Sequence, residues 1–229
     1  MRSKYVWELP VRYFHWINFL SILILAVTGF IIGNPPAIQS SAAASQSYWF
    51  GTIRFIHFTA AYVFLINFII RLYWSLAGNR YANWRNFIPY SKRQWKDMWE
   101  VIKVDVLQTK DAENPNLGHN ALASFMYLLT FIAFLFQVLT GFGMYAGMSN
   151  SWFASLFAWV PAVLGGDIPT RHIHHLMMWF FILFAIVHVY LVFYHDYIER
   201  NGIASSMIGG WKFLEEDKVE RETELDKNK

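Results

Sequence analysis

The stretch HIHHLMMWFFILFAIVH, residues 172–188, combines a long apolar run with imidazole side chains at both ends. Four of the eight histidines of the chain lie in this stretch. Ionisable side chains are costly inside a bilayer, so those retained there generally serve a function. The stretch therefore predicts a membrane helix that carries a functional side chain near each of its ends.

The composition of the 229-residue chain is that of a membrane protein, with 55% hydrophobic, 19% aromatic and only 15% charged residues. The chain has no cysteine. This excludes disulfides, thiolate-bound iron–sulfur clusters and the covalent attachment of c-type haem. Any redox centre must therefore be held by other side chains, and histidine is the first candidate.

Four apolar stretches predict an all-α fold, a membrane-embedded four-helix bundle. They cover about residues 11–32, 53–76, 121–146 and 173–194, each close to the ~20 residues that a helix needs to cross a hydrocarbon core. Helices are expected because every backbone amide needs an internal partner in lipid. A cleaved signal peptide is an alternative for the first stretch, but its apolar part is long and cleavage near Ala44 would remove His15.

The distribution of charge predicts that both termini and the middle loop are cytoplasmic. The N-terminal segment carries three basic residues, Arg2, Lys4 and Arg12, and residues 71–117 carry eight, whereas residues 33–51 carry no charge and residues 147–170 only Asp167. Cytoplasmic loops of membrane proteins are enriched in lysine and arginine. The two nearly uncharged loops are therefore expected on the outer side.

The middle loop and the C-terminus have patterns of their own. In SKRQWKDMWEVIKVDVL, residues 91–107, four apolar residues share one helical face, namely Trp95, Trp99, Ile102 and Val106. This predicts a helix at the inner membrane interface, and packing on the protein's own cytoplasmic surface fits equally well. Residues 1–211 are expected to form one transmembrane domain, and the strongly charged residues 212–229 a cytoplasmic tail.

Helical geometry sorts the histidines of the last span. His174 and His188 are 14 residues apart, so they lie about 40° apart around the helix and about 21 Å apart along it. They share one face near opposite sides of the membrane. His172 and His175 lie about 160° and 140° away from His188 and point elsewhere, at the outer interface.

Depth in the membrane pairs these two histidines with partners on other helices. His57 matches His174 on the outer side, and His15 matches His188 on the inner side. Two imidazoles on facing helices suit a six-coordinate, non-covalently bound b-type haem, which carries electrons rather than binding small molecules at iron. The sequence thus predicts two haem b sites with these four histidines as axial iron ligands; hydrogen-bonded core histidines are the alternative.

Residues near the predicted outer site have two possible roles. Arg54 and Arg171, each three residues before a paired histidine, could bind haem propionates or anchor helix ends at lipid headgroups. Gly29, Gly141 and Gly143 could let a porphyrin approach or simply let helices pack closely. The three residues Thr-Gly-Phe also recur at positions 28–30 and 140–142.

The other histidines are harder to assign. His119 and His195 lie at the predicted inner ends of their helices, where they could be solvated or bind a propionate or a quinone carbonyl. The cluster of His172, His174 and His175 could bind Zn²⁺ or Cu²⁺. Adjacent histidines on a helix diverge, however, and no carboxylate or thiol joins them nearby.

Several motifs together resemble the b-type cytochrome subunit of membrane-bound nickel–iron hydrogenases, within the four-helix dihaem cytochromes of the b561-like group that includes the formate dehydrogenase gamma subunit. The resemblance covers nearly the whole chain. It rests on WELPVRYFHW (7–16), IRFIHF (53–58), RLYW (71–74), GNRY (78–81), HHLMMW (174–179), HVY (188–190) and Asp196. The GNRY stretch, GHN at 118–120 and the histidine spacing favour the hydrogenase branch.

This resemblance implies a non-catalytic subunit of a hydrogen:quinone oxidoreductase complex in a bacterial inner membrane. Electrons from the iron–sulfur clusters of a periplasmic hydrogenase would enter at the outer haem, held by His57 and His174. They would leave from the inner haem, held by His15 and His188, to a membrane quinone. The partner would be the hydrogenase small subunit, whose C-terminal helix would pack against the bundle, and through it the large subunit.

Two alternatives remain at the level of the sequence. The chain could be a b561-type cytochrome that serves formate dehydrogenase or another periplasmic donor, which copurifying subunits would reveal. It could also be a membrane anchor without haem, although the presence of all four predicted ligands argues against this.

Overall fold

The computed structural model describes residues 2–37, 47–86 and 121–214, together with positions 92, 95, 96, 99, 216 and 220. The chain is mostly helical. In chain order its elements are β1 (Arg2–Tyr5), α1 (Leu9–Gly33), α2 (Trp49–Ala77), a 3-10 turn (Trp84–Asn86), α3 (Ala121–Ala146), α4 (Trp152–Ser155), α5 (Trp159–Val163), α6 (Asp167–Glu199), α7 (Ile203–Gly209) and β2 (Trp211–Leu214).

Helices α1, α2, α3 and α6 are long and apolar enough to cross a membrane, which confirms the prediction of four such helices. Helix α3 has the predicted bounds, whereas the other three extend beyond the predicted spans. The largest extension is that of α6, because a hydropathy pattern detects only the apolar part of a helix. In the most apolar stretch of α1 and of α6, only 11% of the residues are buried within the protein. Helices that face lipid are expected to show such low burial.

The chain forms two compact units, and each contains parts of all four long helices. The first, here called the terminal unit, comprises Met1–His15, Arg71–Leu128 and Ile186–Lys229. The second, here called the central unit, comprises Trp16–Ile70 and Leu129–Ala185. His15 and His188 belong to the terminal unit, and His57 and His174 to the central unit.

A two-stranded antiparallel sheet ties the ends of the terminal unit together. Strand β1 pairs with β2 so that Arg2 lies opposite Leu214 and Tyr5 opposite Trp211. Gly210, just before β2, has a φ of +87°, and a Cβ there would lie 2.8 Å from the carbonyl oxygen of Trp7, so only glycine fits. The boundary predicted between residues 211 and 212 falls inside β2, because residues 212–214 pair with β1 rather than starting the tail.

The motifs at the chain's N-terminus and after α2 meet in the terminal unit. One carboxylate oxygen of Glu8 accepts hydrogen bonds from the Trp74 indole N–H at 2.9 Å and from the Asn79 backbone N–H at 2.8 Å. The Asn79 side chain donates to the Val6 carbonyl at 2.9 Å. The adjoining buried core consists of Val6, Trp7, Val11, Tyr81 and Ala82. The WELP and GNRY motifs therefore have a structural role.

Arg71 is a buried residue of α2, although its charge was counted above with the basic residues of the cytoplasmic loop. It lies in α2 and is only 1% exposed. Its Nε donates to the Tyr127 hydroxyl at 2.9 Å, and both terminal nitrogens donate to the Ala82 carbonyl at 3.2 and 3.3 Å. The planar guanidinium also lies 5.8 Å from the centre of the Phe14 ring. Arg71 is thus a core residue, because its fork reaches several polar groups at once.

Replacing Arg71 with methionine is expected to lower the free energy of unfolding by about 2 kcal/mol, because the Ala82 carbonyl and the Tyr127 hydroxyl lose their donors. Thermal unfolding of the purified chain in detergent, followed by far-UV circular dichroism, measures this effect. Arg85→Met is the matched control, since Arg85 is exposed and its loss is expected to change stability by less than about 0.5 kcal/mol. Equal unfolding temperatures for the two variants would contradict the assignment.

The central unit is packed largely by aromatic rings from three helices. The Phe134 ring of α3 lies 4.8 Å from that of Phe64 on α2 and 5.0 Å from that of Phe181 on α6, measured between centroids. Gly143 packs against the short helix α5, since a Cβ there would lie 2.9 Å from Cβ of Val160. This glycine serves helix packing, which was one of its two predicted roles.

The interfacial helix predicted over residues 91–107 lies mostly outside the described residues. Two of its four apolar positions, Trp95 and Trp99, are described, and both are exposed. His119 and Asn120 also lie outside the described residues. The cytoplasmic location of the termini and of the middle loop stays a prediction.

Candidate functional site: two pairs of histidines

His15 and His188 face each other within the terminal unit. His15 lies on α1 and His188 on α6, and their ring centroids are 6.2 Å apart with the planes inclined at 52°. His15 is half-buried and His188 is exposed. The structure therefore brings together two imidazoles that are far apart in sequence and lie on different long helices.

His57 is held by a hydroxyl group from a neighbouring helix of the central unit. Thr28 Oγ1 on α1 lies 2.8 Å from His57 Nδ1 on α2. The same hydroxyl donates its hydrogen to the Ile24 carbonyl at 2.6 Å. Because its hydrogen is already used, the hydroxyl accepts from His57, so Nδ1 carries the proton and the lone pair lies on Nε2.

His174 has the same arrangement on the other two long helices. Thr140 Oγ1 on α3 lies 2.8 Å from His174 Nδ1 on α6 and donates to the Phe136 carbonyl at 2.7 Å. The Gln137 amide nitrogen, which is a donor, lies 3.3 Å from His174 Nε2. The contact with Thr140 puts the proton on Nδ1 and the lone pair on Nε2, which faces the Gln137 amide.

Glycines let both imidazoles lie against the helix that holds them. A Cβ at position 141 would lie 3.1 Å from Cε1 of His174, which is tighter than most real contacts. A Cβ at position 29 would lie 3.6 Å from Cε1 of His57. In each case the glycine directly follows the threonine that contacts the same histidine, and it gives the ring access to the helix backbone.

The two predicted propionate ligands occupy different surroundings. Arg54 is half-buried; its guanidinium donates to Sδ of Met148 at 2.9 Å and lies 5.8 Å from the centre of the Phe58 ring. Arg171 is exposed at the start of α6. For both arginines, binding a haem propionate and anchoring a helix end stay predictions.

The remaining histidines near these sites point elsewhere. His172 is exposed. The His175 ring lies over the backbone of Gly33, where an added Cβ would be 2.6 Å from its Nε2. The His195 ring makes an edge contact with Tyr194, with 5.5 Å between centroids. Among the residues that the structure describes, no group of three or more histidine or acidic residues is placed to hold a metal ion.

The donors of both pairs fit a haem held without covalent attachment. Two imidazoles that held one haem iron between them would need rings on facing helices and close enough to share it. The rings of His15 on α1 and His188 on α6, with centroids 6.2 Å apart, meet that requirement. In the central unit, both Nε2 atoms have the lone pair that an iron ligand needs. With no cysteine in the chain, such a haem would be b-type.

Three residues of the site were missed by the sequence analysis, namely Thr28, Thr140 and Gln137. The repeated Thr-Gly-Phe was the available signal for two of them. The repeat by itself does not indicate a contact with a histidine, because a threonine in a helix commonly bonds the carbonyl four residues earlier. These threonines do so as well, and their second contact, with a histidine on another helix, depends on tertiary packing.

Comparison with known proteins agrees with the resemblance noted in the sequence. The family described as prokaryotic cytochrome b561 matches residues 6–210. A protein of Cupriavidus necator, described as a probable Ni/Fe-hydrogenase B-type cytochrome subunit, is 38% identical over 93% of this chain and 88% of its own length. A protein of Azotobacter vinelandii with the same description is 37% identical over 94% and 91%.

A more distant relative is found in Escherichia coli K12. This protein, described as a probable Ni/Fe-hydrogenase 1 B-type cytochrome subunit, is 32% identical over 92% of this chain and 91% of its own length. Nearly the whole chain is thus similar to proteins of one kind.

Proposed function

Because the chain belongs to the prokaryotic cytochrome b561 family, we propose that it carries electrons on two b-type haems from a periplasmic nickel–iron hydrogenase to a membrane quinone. Family membership and the four apolar helices make it a membrane cytochrome b with an electron-transfer role. The presence of two haems, the hydrogenase as electron donor and the quinone as electron acceptor are what we propose beyond that role.

The observation that carries the proposal is the position of four histidines on three long helices, two in each compact unit. His15 and His188 face each other at 6.2 Å, and His57 and His174 present Nε2 lone pairs within the central unit. A haem with two imidazole ligands supplies one-electron chemistry through its ferric and ferrous states. We assign His57 and His174 to one haem, and His15 and His188 to the other.

The chain's own side chains position and insulate these groups. The apolar side chains of the helices would keep water away from the haems, which limits proton leakage at the site. Arg54 and Arg171 are proposed to bind propionates of the haem held by His57 and His174, since a guanidinium fork matches a carboxylate. The residues up to the end of β2 are proposed to form the dihaem domain, and residues 215–229 a cytoplasmic tail.

The partners follow from the relatives, whose descriptions name a Ni/Fe hydrogenase. The hydrogenase small subunit, through its C-terminal membrane helix, is proposed to pass electrons to the haem of His57 and His174. The haem of His15 and His188 is proposed to reduce quinone near the cytoplasmic side of the inner membrane. The basic middle loop and N-terminus support this orientation.

Purification from native membranes in mild detergent tests the proposal. We expect the chain to copurify with both hydrogenase subunits and to contain two haems b per chain in a pyridine haemochrome assay. Dithionite-reduced minus oxidised spectra should show both haems, and H₂ should reduce both in the complex. A preparation without haem, or one that copurifies with formate dehydrogenase instead, would contradict the proposal.

A further inference from the structure

Thr28 and Thr140 hold the two histidines of the central unit in the same way, although they lie on different helices. We propose that both are positioning residues: each fixes its histidine with Nδ1 as hydrogen-bond donor and Nε2 directed to the haem iron. This inference rests on the proposed role of His57 and His174 as axial ligands. It assigns a function to the repeated Thr-Gly-Phe that family membership does not provide.

The hydrogen bonds leave one arrangement of protons at each site. The hydroxyl hydrogen of Thr28 points to the Ile24 carbonyl at 2.6 Å, and that of Thr140 to the Phe136 carbonyl at 2.7 Å. A carbonyl oxygen can only accept, so each hydroxyl must accept the bond from its histidine. Each imidazole therefore has its proton on Nδ1, and a neutral imidazole in this state binds a metal through Nε2.

Burial makes these two hydrogen bonds persistent. Thr28 is 5% exposed and Thr140 is not exposed at all, so water does not compete for either hydroxyl. The following glycines add a steric constraint, because the rings of His57 and His174 lie against positions 29 and 141. The hydrogen bond and the close packing together fix the rotation of each ring about its own axis.

The arrangement has a consequence for the iron. A hydrogen bond donated from Nδ1 increases the electron donation of the imidazole through Nε2. Stronger donation stabilises ferric over ferrous iron and lowers the reduction potential, which hydrogen bonding around a haem is known to tune. Because both proposed ligands of this haem donate a hydrogen bond from Nδ1 to a threonine, the two threonines are expected to lower its reduction potential together.

Thr28→Val and Thr140→Val, made singly and together in the full chain, test the inference. Valine keeps the shape of threonine but removes the acceptor, whereas serine keeps the hydroxyl. Redox titration followed by optical spectra measures the potential of each haem, and the ferric EPR g values report the orientation of the imidazole planes. Thr170→Val is the matched control, since Thr170 is also fully buried and bonds a carbonyl four residues earlier, that of Gly166, at 2.8 Å.

We expect each valine variant to raise the potential of one haem and to shift its g values. The double variant should show the larger shift, while Thr28→Ser, Thr140→Ser and Thr170→Val stay at the wild-type values. Loss of that haem from the valine variants alone would also support the inference. Valine variants indistinguishable from Thr170→Val, or serine variants that lose the haem as valine variants do, would overturn it.

The proposed function fails in a different way. If the wild-type chain lacks the haem of the central unit, or if His57→Ala and His174→Ala both retain it, the assignment of the ligands is wrong. If the wild type has both haems and the histidine variants lose one, but the valine variants change nothing, only the role of the threonines is wrong.

Discussion

Replacing His188 with alanine is expected to reduce the haem content from two per chain to one and to stop the delivery of electrons from H₂ to quinone. The His188 ring on α6 faces that of His15 on α1 at 6.2 Å, so the substitution removes one of the two ligands proposed for this haem. Removing a residue that merely supports a ligand costs about 10- to 100-fold in affinity. Loss of the ligand itself should exceed that, and quinone reduction should fall by at least about 100-fold.

The haem proposed for His57 and His174 should remain in the His188→Ala variant, because those residues belong to the other compact unit. A pyridine haemochrome assay gives the haem content, and redox titration identifies the haem that is left. H₂ should still reduce the remaining haem in the complex although quinone reduction has stopped. A variant that retains both haems would refute the assignment of His188.

His188→Met separates ligation from packing. A thioether is also a ligand of haem iron, and methionine paired with histidine raises the potential relative to two histidines. If His188 binds iron, the methionine variant should recover haem that the alanine variant loses, with a higher potential. If His188 only fills space, both variants should leave the potential of this haem unchanged.

The four long helices could be predicted from the sequence because each contains a long, nearly uninterrupted apolar run. Apolar runs of membrane length have few alternatives in lipid, and the structure contains helices at all four. Expected depth in the membrane also paired His15 with His188, and the structure places their rings 6.2 Å apart. Helical periodicity contributed the shared face of His174 and His188, which are 14 residues apart on one helix.

The remaining features depend on contacts between segments that are distant in sequence. Strands β1 and β2 have four residues each, too few for a pattern of alternation to be recognised. Arg71 was assigned to the basic loop because a hydropathy scale gives every arginine the same polar value. Only the fold shows its hydrogen bonds with Tyr127 and Ala82. The same holds for Thr28, whose contact with His57 joins residues 29 positions apart.

His174→Ala is expected to remove the other haem, whereas alanine at either neighbouring histidine should leave both haems in place. Of the three, His174 is the one held at Nδ1 by a buried threonine, Thr140 at 2.8 Å, and its ring lies against Gly141. His172 is exposed, and the His175 ring packs over Gly33. Of three histidines within four positions, only His174 is thus expected to affect the haem content.

The three variants control for one another, since each removes one imidazole from the same end of α6. Haem content and the reduction of each haem by H₂ in the complex are measured for all three. With His174→Ala, the haem of His15 and His188 should stay bound but H₂ should no longer reduce it, because the proposed entry point for electrons is missing. If His175→Ala lost the haem and His174→Ala kept it, the ligand would be the neighbouring residue. The hydrogen bond from His174 to Thr140 would then have to support a histidine that does not bind iron.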